Sequence, residues 1–305
     1  MTFVLLAAGA ALGTFAVVAA VSSAALALAF GRAADLLERY SARSRAAVLF
    51  RLRLVPPIAA IICGFGVSLP IFVIFEPRDT DEPVSRTLVA IACVGGVVLC
   101  LAALRAFKAW RHTRRVSREW LRQAHRLDPR EIGLESTLPV YAIDAAFPTV
   151  AVVGITSPTL FIAERVLAEC SVNEVRAMIA HECAHVYARD NLKRFALRAC
   201  PDLLSRRSDV MRAWVAATEE AADAAAVTSR PGSALDLAQA LIRVARLAPS
   251  ATPELASSFY PGGDIERRIR RLVDPVSAPD APPVLGRWMV VSAGITVAGL
   301  AIIFA

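Results

Sequence analysis

The stretch Ala180-His181-Glu182-Cys183-Ala184-His185 places two histidines four residues apart, with a glutamate directly after the first. On a helix, that spacing sets both imidazoles on one face, one turn apart. There they can grip a single metal ion, with Glu182 beside the open coordination position. Metal-assisted hydrolysis needs such a pair, a third ligand, and a carboxylate that can take a proton from a water whose pKa the metal lowers to about 7. Short motifs also arise by chance, so the third ligand decides the reading.

Ser171 and Glu174 form a capping box, and no Gly or Pro follows Val172 until Pro201, which predicts one helix from Val172 to Ala199 with the motif in its middle. Downstream, Ser208 can cap a second helix, Asp209 to about Val227, whose centre reads Glu219-Glu220-Ala221-Ala222-Asp223. Glu219 and Asp223 share a face. The first can complete a His2Glu site, and the second can accept the free ring N–H of a ligand histidine. The alanines let the two helices approach closely. Taken alone, an acidic pair on a helix reads as a solvated face; its position after H-E-x-x-H gives it a second meaning.

The elements that must carry this site lie in an unusually apolar chain. Of 305 residues, 56% are hydrophobic and only 7% aromatic, more apolar surface than one soluble core can hide. Residues 1–30 form a first expected span, since Phe3 to Phe30 carries no charge and exceeds the ~20 residues needed to cross the hydrocarbon. Its length, and the absence of Lys or Arg before it, argue against a cleaved signal. Residues 31–53 hold six arginines against Asp35 and Glu38 and read as a basic, headgroup-facing loop. Residues 54–75 are span two, with Pro56, Pro57 and Pro70 inside it; 76–86 is a short acidic-leaning loop; 87–108 is span three. Arg105, Lys108, Arg111, Arg114, Arg115 and Arg118 follow as a second basic cluster. The Lys and Arg distribution puts both basic segments inside and the short loop outside, in a plasma membrane. His112 and His125 have no ligand spacing and read as surface residues.

Residues 109–284 are expected to be a cytoplasmic domain. Val140 to Ile143, Val150 to Ile155 and Leu160 to Ile162 are β-rich runs. An edge strand beside the metal helix, here Val150-Ala151-Val152-Val153-Gly154, can align an extended peptide by main-chain hydrogen bonds, although a plain hairpin would read the same. Ser233 to Ala248 reads as a third helix, and Asp264 can cap a fourth containing Ile265, Ile269 and Leu272. Pro275, Pro279, Pro282 and Pro283 mark a linker to residues 285–305, in which Trp288 to Ala305 is a fourth span. Cys63, Cys93, Cys100, Cys170, Cys183 and Cys200 form no C-x-x-C and read as reduced, buried thiols, with Cys183 pointing away from the metal. The net charge of +7 is accounted for by the two basic segments and is no argument for nucleic acid.

H-E-x-x-H, then Asp190 after four intervening residues, then E-x-x-x-D on a second helix resembles the membrane-embedded gluzincin metallopeptidases of the BlaR/MecR antirepressor type, relatives of the HtpX-like and CAAX prenyl proteases. The stretch from Phe147 to Ile162 is similar to the strand pair before the zinc helix in that family, and Arg268-Ile269 fits an Arg-Ile found in a late helix. The resemblance covers roughly residues 138 to 275. It implies a mostly α membrane protein with four transmembrane helices and a cytoplasmic α+β zincin (gluzincin) metallopeptidase domain between spans three and four. It further implies Zn2+ on His181, His185 and Glu219, with Glu182 as the catalytic acid/base and Asp223 and Asp190 behind the ligands. The implied substrate is a BlaI/MecI-like cytoplasmic repressor whose cleavage turns on transcription. The chain is expected to lack the extracellular penicillin-binding domain of the β-lactam-sensing members, and the Ala221-Ala222 pair stands where some relatives carry Cys. Quality-control cleavage of membrane proteins, as in HtpX-like proteases, and a non-proteolytic zinc-bearing transducer stay open as alternatives. So do homodimer formation and the choice of Arg267, Arg268 or Tyr260 as oxyanion partner.

Overall fold

The computed structural model describes residues 2–78, 83–128, 130, 138–145, 148–201, 209–247, 262–275 and 278–280. The fourth expected span, the Ser208 cap, Phe147 and Tyr260 lie outside these residues.

Three helices, Thr2–Arg32, Ala42–Phe75 and Arg86–Gln123, are long and apolar enough to cross a membrane, and they mark the chain as a membrane protein. The first continues as α1 to Leu37. The second comprises α2 (Ala42–Ile61), a π-helical stretch (Ile62–Ser68) and α3 (Leu69–Phe75), and the third is α4 (Arg86–Gln123). Pro56 and Pro57 sit inside α2 and are fully buried, so neighbouring helices shield the backbone groups they disturb. Phe15, Val18, Ala19, Ala60, Cys63 and Val98 form the packed centre of the three helices. Cys93 and Cys100, expected to be buried, lie on the exposed face of α4.

The basic segment 31–53 is not a loop. It is the end of α1, a short turn, and the first three turns of α2, capped by Ser41. Its apolar residues recur at helical spacing. Ala46, Val48 and Leu49 join Phe30 and Leu37 in a cluster with Leu197, Val210 and Trp214 of the domain below. Tertiary burial on that stripe, more than the arginines, decides the conformation. Arg45 is itself buried and pairs with Glu220.

The remaining chain adds a four-stranded sheet, β1 (Ala124–Leu127), β2 (Val140–Ile143), β3 (Val150–Val153) and β4 (Thr159–Ala163), in the order β1-β2-β4-β3. β2 runs parallel to β4; the other two pairs are antiparallel, and β3 is an edge. The polar strand β1 carries no alternation and was not expected. Helices α5 (Glu164–Glu169), α6 (Val172–Tyr187), α7 (Asp190–Ala199), α8 (Asp209–Ser229), α9 (Ala234–Leu247) and α10 (Gly262–Val273) are the domain's helices among the described residues. Leu160 and Ile162 of β4, Val175 and Ile179 of α6, and Leu237 and Leu241 of α9 share its core.

The predicted helix from Val172 to Ala199 is broken. Ala188 ends α6, Arg189 adopts a left-handed conformation at φ 56°, and α7 restarts at Asp190. In an unbroken helix, residue 190 would point about 140° away from His185. The break costs roughly 1–2 kcal/mol at a non-glycine residue. In exchange it turns the Asp190 carboxylate back onto His185.

On the far face of α8, buried Glu220 accepts from Arg45 of α2 and Arg271 of α10, and Arg267 Nε lies 3.1 Å away. This cluster ties the second apolar helix to the domain. Glu220→Ala would leave three guanidiniums around a vacated carboxylate and is expected to cost about 3–5 kcal/mol. Glu38→Ala, whose exposed side chain is 4.0 Å from Arg45, should cost under about 1 kcal/mol; denaturation in detergent compares them. In the helix bundle, a Cβ on Gly95 would stand 2.4 Å from the Leu12 carbonyl, while one on Gly96 would meet nothing within 4 Å. Gly95→Leu should therefore lose about 1–3 kcal/mol through overpacking, and Gly96→Leu should leave the melting midpoint unchanged.

Candidate active site

α6 begins with the predicted capping box: Ser171 Oγ accepts from the Glu174 N–H at 3.3 Å, and Glu174 Oε2 accepts from the Ser171 N–H at 2.6 Å. Arg243 of α9 donates to the same glutamate at 3.1 Å, which fixes the rotation of α6 against the core. That rotation turns His181 and His185 toward α8. Their Nε2 atoms are 3.2 Å apart, and Glu219 reaches them at 3.5 and 3.6 Å.

Each ring has its second nitrogen against a carboxylate. His181 Nδ1 is 2.8 Å from Asp223, and His185 Nδ1 is 2.8 Å from Asp190. Such partners hold the proton on Nδ1 and leave Nε2 as the donor atom aimed into the cluster. One ligand atom each from His181, His185 and Glu219 lies within 4.8 Å of the others, a group able to hold a metal ion. Cys183, on the same helix, instead packs against the core.

The charge balance fits a divalent cation. Glu182, Asp190, Glu219 and Asp223 meet two side-chain cations that contact them among the described residues, Arg268 and Lys193. With both imidazoles neutral, as metal ligands must be, the four carboxylates outweigh these cations. Burial alone would lower His185, yet its hydrogen bonds to Asp190 and Glu219 win and push its pKa up to about 10. His181 is raised in the same way, with Asp223 and Glu219 overcoming burial. Burial would raise Glu219, but the two imidazoles hold it well below the usual carboxylate range. Asp223, also buried, is held down by His181 and Arg268. The cluster thus calls for positive charge between the rings, and its donor set of two imidazoles and a carboxylate suits zinc.

Arg268 is the residue that spacing alone did not place. It is 6% exposed, donates twice to Asp223 at 2.7 Å, and approaches Glu219 at 3.3 Å. Arg267 turns the other way, to Glu220.

Glu182 Oε2 accepts from the N–H of Val152 at 3.1 Å, which sets the glutamate against the edge strand β3. Thr149 O accepts from Ala163, and the register then pairs Ala151 and Val153 with β4, so Val150 and Val152 turn their backbone groups to the open edge. Asn191, in the first turn of α7, donates to the carbonyls of Val152 and Gly154, both at 3.1 Å. Gly154 has φ 123°, and a Cβ there would lie 2.3 Å from Ser157 O, so the turn that ends β3 requires glycine.

These groups line a cleft of about 670 Å³. Its floor is the His181, His185 and Glu219 cluster and β3. Met178, Leu237, Leu241 and Val244 make one end apolar, and α7 with the continuation of α4 forms the other. His112 was expected on an ordinary surface; it is exposed, but on the cleft wall. His125 is a surface residue whose ring lies 3.5 Å from Glu164.

Removing a carboxylate behind a ligand should loosen the ligand. Asp190→Ala and Asp223→Ala are expected to weaken zinc binding by 10–100-fold, and Cys183→Ser to leave it unchanged, as measured by competition with a chromogenic chelator.

No curated protein matches the chain. Residues 113–248 match the family model described as peptidase family M48, a family of generally zinc-dependent enzymes. The match starts within α4 and takes in His181, Glu182, His185, Asp190, Glu219 and Asp223. It is the sequence counterpart of the cluster just described: residues 113–248 are similar to the peptidase family M48 domain, in a chain that also carries three helices long and apolar enough to cross a membrane.

Proposed function

We propose that the protein is a membrane-embedded zinc endopeptidase that cuts an extended segment laid along β3. The observation that carries this reading is the position of Glu182, on the helical turn that bears both histidines and in hydrogen-bond contact with the edge strand. His181, His185 and Glu219 would hold the zinc. Bound there, zinc supplies Lewis acidity to the scissile carbonyl and to the attacking water.

The remaining work falls to the chain's own groups. Glu182 takes the proton of the attacking water and passes it to the leaving amine. Asp223 and Asp190 keep the imidazoles oriented, and Arg268 keeps Asp223 and Glu219 in place. An incoming strand pairs with the outward groups of Val150, Val152 and Gly154, and in taking the Val152 N–H it frees Glu182 for the water. The apolar end of the cleft receives one side chain of the substrate.

The basic ends of the apolar helices support a cytoplasmic domain by the positive-inside rule. The likeness to antirepressor peptidases makes a BlaI/MecI-like repressor the leading substrate, and the role that of a signal transducer. A second substrate class, membrane proteins, is favoured by one feature: the cleft wall is the direct continuation of an apolar helix. His112 lies only about 8 Å along α4 beyond Phe107.

Glu182→Gln is expected to lower cleavage of an unstructured protein by 10²–10⁴-fold with zinc content unchanged. Purified full-length protein in detergent, assayed beside its metal analysis, checks this. Equal cleavage by both forms would sink the proposal. Comparing protein N-termini in cells carrying wild type or Glu182→Ala then separates the substrates. A repressor fragment unique to wild type supports the signalling role, and membrane-protein fragments alone support quality control.

A further inference from the structure

The cleft is chemically lopsided. At its apolar end, Val150 and the α9 residues share the domain core. At the other end, two helices face each other across the opening. α7 presents Asn191, Arg194, Phe195 and Arg198, and α4 presents Ala109, His112, Thr113 and Val116. Both sets follow the i, i+3, i+4, i+7 spacing of a single helical stripe, so the two faces are turned inward along their length.

The charge of this end is of one sign. The carboxylates that line the cleft are Glu182, Asp190 and Glu219, and all belong to the metal cluster. Asp190 is further engaged by His185 and Lys193. Outside that cluster, the cationic side chains that line this end are Arg194 and Arg198. Arg194 is the more enclosed of the two; its Nε is shielded from solvent and has no hydrogen-bond partner among the described residues. A shielded donor without an acceptor is unfavourable until a ligand supplies one.

From this geometry we infer that the α4–α7 end of the cleft is a subsite for an acidic side chain of the substrate, with Arg194 as its specificity-determining residue. The inference rests on the peptidase reading and adds a sequence preference to it. The position of the acidic residue follows from β3. Asn191 fixes α7 beside the carbonyls of Val152 and Gly154, at the C-terminal end of that strand. A peptide added antiparallel, the more stable pairing, runs from the Gly154 end toward Val150. Its residues before the scissile bond therefore pass Arg194, and those after it reach the apolar end. The substrate class is an extended segment with Asp or Glu on the N-terminal side of the cut and an aliphatic residue on the C-terminal side. The arginines along the outer face of α4 raise the local concentration of such acidic segments.

The test uses the full-length, zinc-loaded protein in detergent and a set of quenched-fluorescence peptides that differ only in Asp, Asn or Lys before the cut. Wild type should favour Asp over Lys by about tenfold or more in kcat/KM, chiefly through KM, the factor expected of one charge-assisted hydrogen bond. Arg194→Glu should invert that order, and Arg194→Lys should restore it. A wild type indifferent to the charge, or an Arg194→Glu that keeps the Asp preference, would overturn the inference. Binding of the labelled Asp and Lys peptides to Glu182→Ala protein is read in parallel by fluorescence anisotropy. Arg194-dependent binding without hydrolysis in the wild type would reject the peptidase reading and keep the subsite. If Arg194→Glu instead lost only its affinity for vesicles containing anionic lipid, with peptide preference intact, the residue would be a headgroup contact and the subsite would fall.

Discussion

Three carboxylates within five residues of α8 organise much of the domain, because buried carboxylates persist only where cations or hydrogen-bond donors come to them. Glu219 and Asp223 look toward α6 and draw in His181, His185 and Arg268. Glu220 looks the opposite way and draws in Arg45, Arg267 and Arg271. One helix thus binds the candidate metal cluster on one side and the second apolar helix on the other. Ala222, between these acids, and Ala226, one turn beyond them, are buried and keep the approach close. Packing and electrostatics are here a single requirement: without the alanines the partners could not reach, and without the partners the acids could not stay buried.

What could be read from the sequence was what depends on local period. The two histidines, the glutamate between them and the E-x-x-x-D face are one-turn spacings, and a helix of any context presents them in the same way. The Ser171–Glu174 cap is equally local, and the β-rich runs at 140–143 and 150–155 matched strands within a residue or two. The break at Arg189 was not legible, because it runs against local propensity and is held by Asp190 meeting His185, a contact that exists only once the helix has turned. The helicity of 31–53 was hidden for a related reason. Its arginines suggested a solvated loop, while the stripe of Ala46, Val48 and Leu49 finds its partner in Trp214, more than 160 residues later.

Arg268 shows the limit most clearly. Three neighbouring basic residues, Arg267, Arg268 and Arg270, are indistinguishable by composition. In the fold they go to Glu220, to Asp223 and to Glu266 respectively. Helical rotation separates the first two by about 100°, enough to send one to the metal cluster and the other to the cluster behind it. The direction of that rotation is set by how α10 lies on α8 and α9, which no short window contains.

The continuity of α4 has a mechanical meaning. Its 38 residues run without interruption from the apolar bundle to the cleft wall, and they touch α1 closely at Gly95. A straight helix is a stiff rod, and from Gly95 to His112 it measures roughly 26 Å. Pivoting by about 5° at that contact would carry the wall at His112 sideways by about 2 Å, a sizeable fraction of the space a peptide backbone needs. In a bilayer whose thickness set the lean of such a rod, the same pivot would change the width of the opening above the edge strand.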